Sequence, residues 1–218
     1  MIDLHTHSLF SDGELLPSEL VRRVEVLGYA ALAITDHGDA SNLDWIVPRI
    51  VRVSQELNES QGVRVVPGIE ITHAPPTTIQ SLVTRSRELG AELVVIHGET
   101  TVEPVAPGTN RAGLEAGADI IAHPGLITIE ETKMAAERDI YLEISARGGH
   151  SFTNGHVARL AQETGARLVL NSDAHAPRDL LTQDFAGTVA EGAGLPHDFF
   201  HAMLGNAERL LERIESAP

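Results

Sequence analysis

Residues 3–13 read DLHTHSLFSDG: two histidines two residues apart close a short apolar strand, and an aspartate follows five residues later. Side chains alternate along a strand, so His5 and His7 point to one face, about 7 Å apart along the backbone. Converging neutral imidazoles are what a divalent cation binds, and the Ser-Asp-Gly turn can swing Asp12 back as a carboxylate donor. Alone, H-x-H is a short match that a surface strand with two stray histidines would also give. Its weight comes from the rest of the chain, where the same kind of strand ending recurs.

After the turn, Pro17 opens a helix with Leu20, Val21, Val24 and Leu27 at helical spacing, and Gly28 stops it. Residues 30–34 are then an apolar strand running into Thr35-Asp36-His37-Gly38. The pattern of Gly-closed helix, apolar strand and polar ending returns three times. Residues 93–96 lead into His97-Gly98-Glu99, 120–121 into His123-Pro124-Gly125, and 168–170 into Asn171-Ser172-Asp173-Ala174-His175. Two looser units, 63–71 (interrupted by Pro67-Gly68 and carrying Glu70) and 140–144 (carrying Glu143), bring the strands to seven. Helices are expected over 43–57, 78–89, 111–116, 129–137 and 156–164, with one or two more after Leu180, of which 207–214 is the clearest. The apolar runs do not alternate, as in parallel strands buried on both faces. Strand and helix alternating throughout give a parallel α/β sheet, and seven units with a polar cluster at every strand's C-terminal end suit a closed or nearly closed barrel, where those ends meet at one mouth. An open doubly wound sheet would spread them along an edge.

Composition sets the bounds. A chain of 218 residues with 42% hydrophobic and 22% charged residues is globular, and no shift in composition divides it, so one domain over 1–218 is expected. A net charge of -15, with Lys133 as the single lysine, repels nucleic-acid backbones and anionic membranes at long range. A phosphate-bearing partner then needs a local positive centre, which bound metal supplies. There is no cysteine, which excludes disulfides and thiolate metal sites and fits a reducing cytosol. With His5 so near the start and no apolar run near 20 residues, no leader or membrane span is expected, and the place is cytoplasmic.

The mouth collects His5, His7, Asp12, Asp36, His37, Glu70, His97, His123, Glu143, Asp173 and His175, six of the eleven histidines among them. Polar residues capping strand ends account for one or two of these, not for all. Buried imidazoles and carboxylates with no lysine to pair them call for metal.

In that order, DLHTHSLFSDG, ITDHG, PGIEI, VIHGE, IAHPG, LEIS and NSDAH resemble the motifs of the polymerase and histidinol phosphatase (PHP) family. Its members are metal-dependent phosphoesterases on a distorted seven-stranded (β/α)7 TIM-like barrel. The resemblance runs from residue 3 to about 175 and implies a trinuclear site. His5, His7, Glu70 and Asp173 would hold one ion, Glu70 would bridge to a second held by His97 and His123, and Asp12, His37 and His175 would hold a third. Some members carry His where Asp12 stands, which bears on metal preference. Asp36 would fix the His37 ring by a hydrogen bond, and Glu143 would do likewise or stabilise a strand end.

The implied chemistry is hydrolysis. Water ionised on the metals attacks phosphorus while the metals clamp the phosphoryl oxygens, and the His and carboxylate mix suits Zn, Mn or Fe. No Gly-rich phosphate cradle is present. The loop over 98–110 is long enough to form a substrate wall or lid. The loop over 145–154 offers Arg147 to bind phosphate and His150 to protonate the leaving group, with Arg111 a weaker phosphate contact. His73, His156, His197 and His201 read as ordinary surface or packing residues. The expected partner is a small phosphate ester, histidinol phosphate, a nucleotide or a sugar phosphate, with inorganic phosphate as product. Two alternatives are a phosphodiesterase or exonuclease acting on nucleic-acid ends, which the acidity and single lysine disfavour, and a non-catalytic metal-stabilised binding module.

Overall fold

The computed structural model describes residues 1–196 and 198–216; the expectation for His197 lies outside the described residues. Eight strands form one sheet with every pairing parallel: β1 (Ile2–Asp3), β2 (Ala31–Ile34), β3 (His37–Gly38), β4 (Arg64–Ile71), β5 (Leu93–His97), β6 (Ile120–Ala122), β7 (Tyr141–Ser145) and β8 (Leu168–Asn171). Their order is β1-β2-β4-β5-β6-β7-β8, and β3 resumes the course of β2 against β4 after a break at Thr35 and Asp36. Counting β2 and β3 as one staved position leaves a seven-stranded barrel, the expected architecture. It is distorted at one seam. There β8 and β1 form no ladder and meet through one bridge, Thr6 opposite Ala174, with the His7 N–H donating to the Ala174 carbonyl at 2.9 Å. Side chains stitch the rest, the Leu4 N–H donating to Asn171 Oδ1 (2.9 Å) and the Ser172 N–H to Asp3 Oδ1 (3.2 Å).

Helices α1 (Pro17–Val26), α2 (Leu43–Ser60), α3 (Pro76–Glu88), α4 (Thr109–Ala116), α5 (Ile129–Arg138) and α6 (Asn154–Thr164) fill the gaps between strands, and α7 (Gln183–Gly192) and α8 (Phe199–Glu215) follow β8. α4 ends on Gly117 in the left-handed conformation (φ 72°), as the Gly-closed pattern requires. The expected interruption at Pro67 does not occur, and β4 runs straight through it. Even-numbered residues of β4 and just past it donate toward β2 and β3 and the residues flanking them, as Arg64 does to Ala30, Glu70 to Asp36 and Thr72 to Gly38. Pro67 therefore belongs to the set facing β5, and pairing with β5 starts only at Gly68 opposite Leu93, so its missing N–H breaks no ladder bond.

Both sheet faces are buried, which explains the unbroken apolar runs. Leu32, Ile34, Val94, Ile96, Leu142 and Ile144 pack outward against the helices. Leu4, Ala33, Val66, Leu93, Val95, Ile120 and Tyr141 fill the barrel, where Leu210 and Leu211 of α8 join them. α8 is pinned at the strands' N-terminal ends by Arg213, which donates to Asp119 Oδ1 (3.0 Å) and the Asp139 carbonyl (2.7 Å). Each such buried Leu or Ile contributes about 1.5–3 kcal/mol, so the lower barrel stabilises the fold without help from the polar mouth. Among the described residues, no helix is long and apolar enough to cross a membrane.

Candidate metal centre

Imidazoles and carboxylates from β1, β3, β4, β5, β6 and β8, or the turns just past them, converge at the strands' C-terminal ends. His5 Nε2 lies 3.3 Å from Glu70 Oε1, and His7 Nε2 lies 3.3 Å from Asp173 Oδ1. His123 Nε2 sits 3.6 Å from Glu70 Oε1 and 3.7 Å from Asp173 Oδ2. Asp12 Oδ1 lies 3.5 Å from His37 Nε2 and 3.2 Å from His175 Nε2. Four donors at about 2.0–2.1 Å around one tetrahedral cation stand about 3.3–3.4 Å apart, so these are the spacings of atoms facing a shared ion. Sets able to hold one are His5, His7 and Glu70; His5, His123 and Asp173; His7, Asp12, His37 and His175; and His97, His123 and His150.

The fit to metal rests on atoms with no partner. His5 Nε2, both nitrogens of His7, Glu70 Oε1, His97 Nδ1 and His123 Nδ1 are buried without a hydrogen bond. Each such atom costs about 1–3 kcal/mol, and several together would be a heavy burden on a fold with no ion to satisfy them.

Supporting contacts aim the rings. Glu143, fully buried on β7, accepts from His5 Nδ1 at 2.8 Å and from Asn171 Nδ2 at 2.9 Å, which leaves His5 Nε2 facing the centre. His175 Nδ1 lies 3.0 Å from the Asp173 carbonyl and 2.8 Å from Arg147 Nη1, contacts that leave Nε2 facing Asp12. Asp36 does not touch the His37 ring as expected. Its carboxylate instead accepts from the Ser8 N–H (2.8 Å) and Oγ (2.7 Å) and the Ser11 N–H (3.0 Å) and Oγ (2.7 Å), fixing the turn that carries Asp12. The reason is geometric: β2 breaks at Asp36, so its side chain points across to the β1 turn while His37 Nδ1 approaches Thr72 Oγ1 (2.7 Å) and Glu70 Oε2 (2.7 Å).

These charges set the protonation of the ligands. Burial lowers His7 to about 3, with the neighbouring His37 acting in the same sense, so it is neutral at pH 7. Burial also disfavours charge on His37, but Glu70 and Asp12 outweigh it and raise the ring to about 10. His5 is likewise carried well above its ordinary value, Glu143, Glu70 and Asp173 overcoming desolvation. Burial pushes Asp173 and Glu70 upward, yet the imidazoles around them hold both well below the carboxylate range. Protein stripped with chelator therefore carries protons on His5 and His37 at pH 7 that cation binding must expel. Calorimetric titration with Mn2+ in two buffers of different ionisation enthalpy is expected to show net proton release at pH 7, shrinking as pH rises through about 10, where His37 loses its proton. Release near zero at pH 7 would contradict this charge assignment.

The family model of the PHP domain matches residues 3–187. The chain belongs to the PHP family. This PHP domain is 45% identical to an uncharacterized protein of Methanocaldococcus jannaschii, over 97% of this chain and 99% of the relative. It is 28% identical to a probable phosphatase of Shewanella halifaxensis, over the whole chain and 90% of the relative. Among solved structures it resembles a chain from archaeal ribonuclease P with mature tRNA, with a TM-score of 0.74 and 15% identity over 99% of this chain and 91% of that one. That likeness concerns the fold. PHP members are metal-dependent phosphoesterases, and the centre has the His, Asp and Glu sets such an activity needs.

Within this PHP domain, the loop over 145–154 contributes more than the sequence suggests. Arg147 reaches the mouth, its Nη1 donating to the Asp173 carbonyl at 3.1 Å. His150 is not a solvated loop residue. It is buried, stacked on His123 with ring centres 4.0 Å apart and its Nδ1 2.8 Å from Thr100 Oγ1. Burial, with the neighbouring His123 acting in the same sense, lowers it to about 4, so its ring is neutral at pH 7. Arg111 pairs with Glu115 on α4, and His156 Nε2 bonds to the Ile127 carbonyl (2.7 Å), a packing role as expected. Sequence reasoning missed two residues. His73 and Glu103 meet at the rim, His73 Nε2 lying 3.1 Å from Glu103 Oε2. No motif flagged Glu103, since it lies six residues past His97 in an irregular loop.

Proposed function

We propose that this PHP domain hydrolyses small phosphomonoesters at a centre of three divalent ions, Zn, Mn or Fe. His5, His7, Asp12, His37, Glu70, His97, His123, Asp173 and His175 would hold them, with Glu70 shared between two. The observation that carries the reading is the shape of the mouth. A space of about 50 Å3 lined by His37, His97, Arg147, His150 and Asp173 has room for a group of a few heavy atoms. It opens past Asp12, Arg147 and His175 into a hollow of about 410 Å3 bounded by Glu14, Arg178 and Asp179. A phosphoryl group suits the first and a small leaving group the second. The similarity to a probable phosphatase supports the same reading.

Ions bound there supply Lewis-acid polarisation of the phosphoryl group and an acidified water. The chain's own part is positioning. Arg147, anchored on the Asp173 carbonyl, offers its remaining N–H groups to a phosphoryl oxygen as a planar fork. His150 would add an imidazole to the nine, beside His97 and His123, in preference to serving as an acid, since its ring is neutral. In the overall reaction, water oxygen forms the new bond to phosphorus, the ester P–O bond breaks, and the alcohol leaves with a proton.

The test is elemental analysis of freshly purified protein beside a phosphate-release screen of nucleotide, sugar and histidinol phosphates. Bound metal with release from a few related esters supports the reading, and metal without release from any monoester sinks it. The second reading, cleavage of a phosphodiester at a nucleic-acid end, draws on Arg147 and Arg178, which both line the open hollow. It requires diester hydrolysis that falls steeply with salt. Arg147→Ala is expected to lower kcat/KM for a monoester by about tenfold to a hundredfold with metal content unchanged. An unaltered specificity constant would remove Arg147 from the phosphate site.

A further inference from the structure

The loop over 98–110 leads from β5 to α4 and is held closed at its base. Glu99 Oε1 accepts from the Gly108 and Asn110 N–H groups (3.0 and 2.9 Å), while the Asn110 side chain accepts from the Glu99 N–H (3.0 Å) and donates to the Pro124 carbonyl (2.8 Å). Farther out, it docks on the neighbouring loop, with Thr100 Oγ1 against His150 Nδ1 and the Val102 side chain over Gly149. Thr100 thereby turns His150 Nε2 inward. Between these anchors Glu103 points back over the mouth.

Three imidazole nitrogens converge on the Glu103 carboxylate: His97 Nε2 at 3.0 Å, His73 Nε2 at 3.1 Å and His150 Nε2 at 3.5 Å. Among the described residues only the His73 approach is aligned as a hydrogen bond. The other two nitrogens stand near the carboxylate without pointing a hydrogen at it, at 3.0 and 3.5 Å, either side of the roughly 3.3–3.4 Å that separates donors around one tetrahedral cation. No arginine pairs with Glu103 among the described residues, and His97, Glu103 and His73 together could hold an ion. His97 also belongs with His123 and His150 in one of the buried donor sets.

We propose that Glu103 is a further metal-ligating residue, delivered by this loop to the ion that His97 and His123 would hold, beside His150. The assignment rests on the proposed metal centre and adds to it a carboxylate from the solvent side. Two consequences follow. The loop's closed position is coupled to occupancy of that ion, and the His97 side of the mouth is shut, so an ester enters from the Arg147 side, where the larger hollow lies.

The test compares wild-type, Glu103→Gln and Glu103→Ala proteins, each stripped with chelator and titrated with Mn2+ by calorimetry, with bound metal counted after gel filtration. Gln keeps an oxygen that accepts a hydrogen bond but lacks the carboxylate charge. Both variants are expected to bind one ion at least about tenfold more weakly and to leave the column one equivalent short, with the other ions retained. If Gln binds like wild type while Ala does not, Glu103 only orients a ring by hydrogen bonding and the proposal is overturned. Wild-type binding in both variants overturns it as well, leaving the centre itself intact. Should wild-type protein take up no Mn2+, the metal reading of the whole mouth falls, and this assignment with it.

Discussion

Glu70→Ala is expected to strip the centre and cut phosphate release by at least about a thousandfold, the loss of several kcal/mol of metal-derived stabilisation. Glu70 is fully buried on β4, and its carboxylate lies within 3.7 Å of nitrogens from His5, His7, His37 and His123. With Asp173, it is one of the two carboxylates on which the rings converge, so its loss removes a ligand and leaves like-charged rings facing one another. Glu70→Gln separates the two causes, since it keeps the volume and loses the charge. The stripped protein gives a second readout. Glu70 is the chief group raising His37, and a raised folded-state value stabilises the fold below the unfolded value near 6.5 and loses that contribution as pH rises toward about 10. Melting temperatures of stripped wild type should therefore fall between pH 7 and 10, and those of Glu70→Ala should fall less. Metal retained at wild-type stoichiometry in Glu70→Ala would refute the bridging role.

The donors legible in the sequence are those on or just past strands, because a buried strand forces its polar ending to a fixed place. The run of Gly, apolar residues and a polar ending located β2, β5, β6 and β8 within a residue or so of their bounds. Alternation placed His5 and His7 on one face although regular β1 ends at Asp3, since the Thr6 bridge to Ala174 keeps the chain extended. What stayed hidden has a common physical origin. Asp36 changes partner because β2 breaks at that residue, and a strand break leaves no periodic mark. His73 and Glu103 act through loops whose conformation is set by distant contacts, such as Thr100 on His150 and Asn110 on Pro124. The α8 plug is half visible: its apolar stripe reads as a helix, but nothing local says that Leu210 and Leu211 enter the barrel.

Gly125→Ala should have the largest effect on stability of any single-methyl substitution near the mouth. Gly125 has φ +63°, and a Cβ built there falls 1.8 Å from the Glu99 carbonyl oxygen and 2.7 Å from its carbon. The obstructing atoms are backbone, so no rotamer change relieves the clash. Left-handed strain alone costs about 1–3 kcal/mol, and the displaced backbone adds to it, so a loss of about 3 kcal/mol or more is expected. For a chain of this size that lowers Tm by about 6–12 °C. The damage is also directional. Glu99 closes the loop base, so pushing it away loosens Thr100 and Glu103 above it and, through Thr100, the aim of His150. Metal bound at the His97 end should weaken in this variant more than metal bound at the Asp12 end. Gly148→Ala is the control: it lies in the adjoining mouth loop, yet its added Cβ would meet nothing within 4 Å, and a change under about 0.5 kcal/mol is expected. Equal melting temperatures for the two variants would mean that the β5 and β6 loops are not interlocked through Glu99. The coupling from backbone packing to the His97 end would then have to be abandoned.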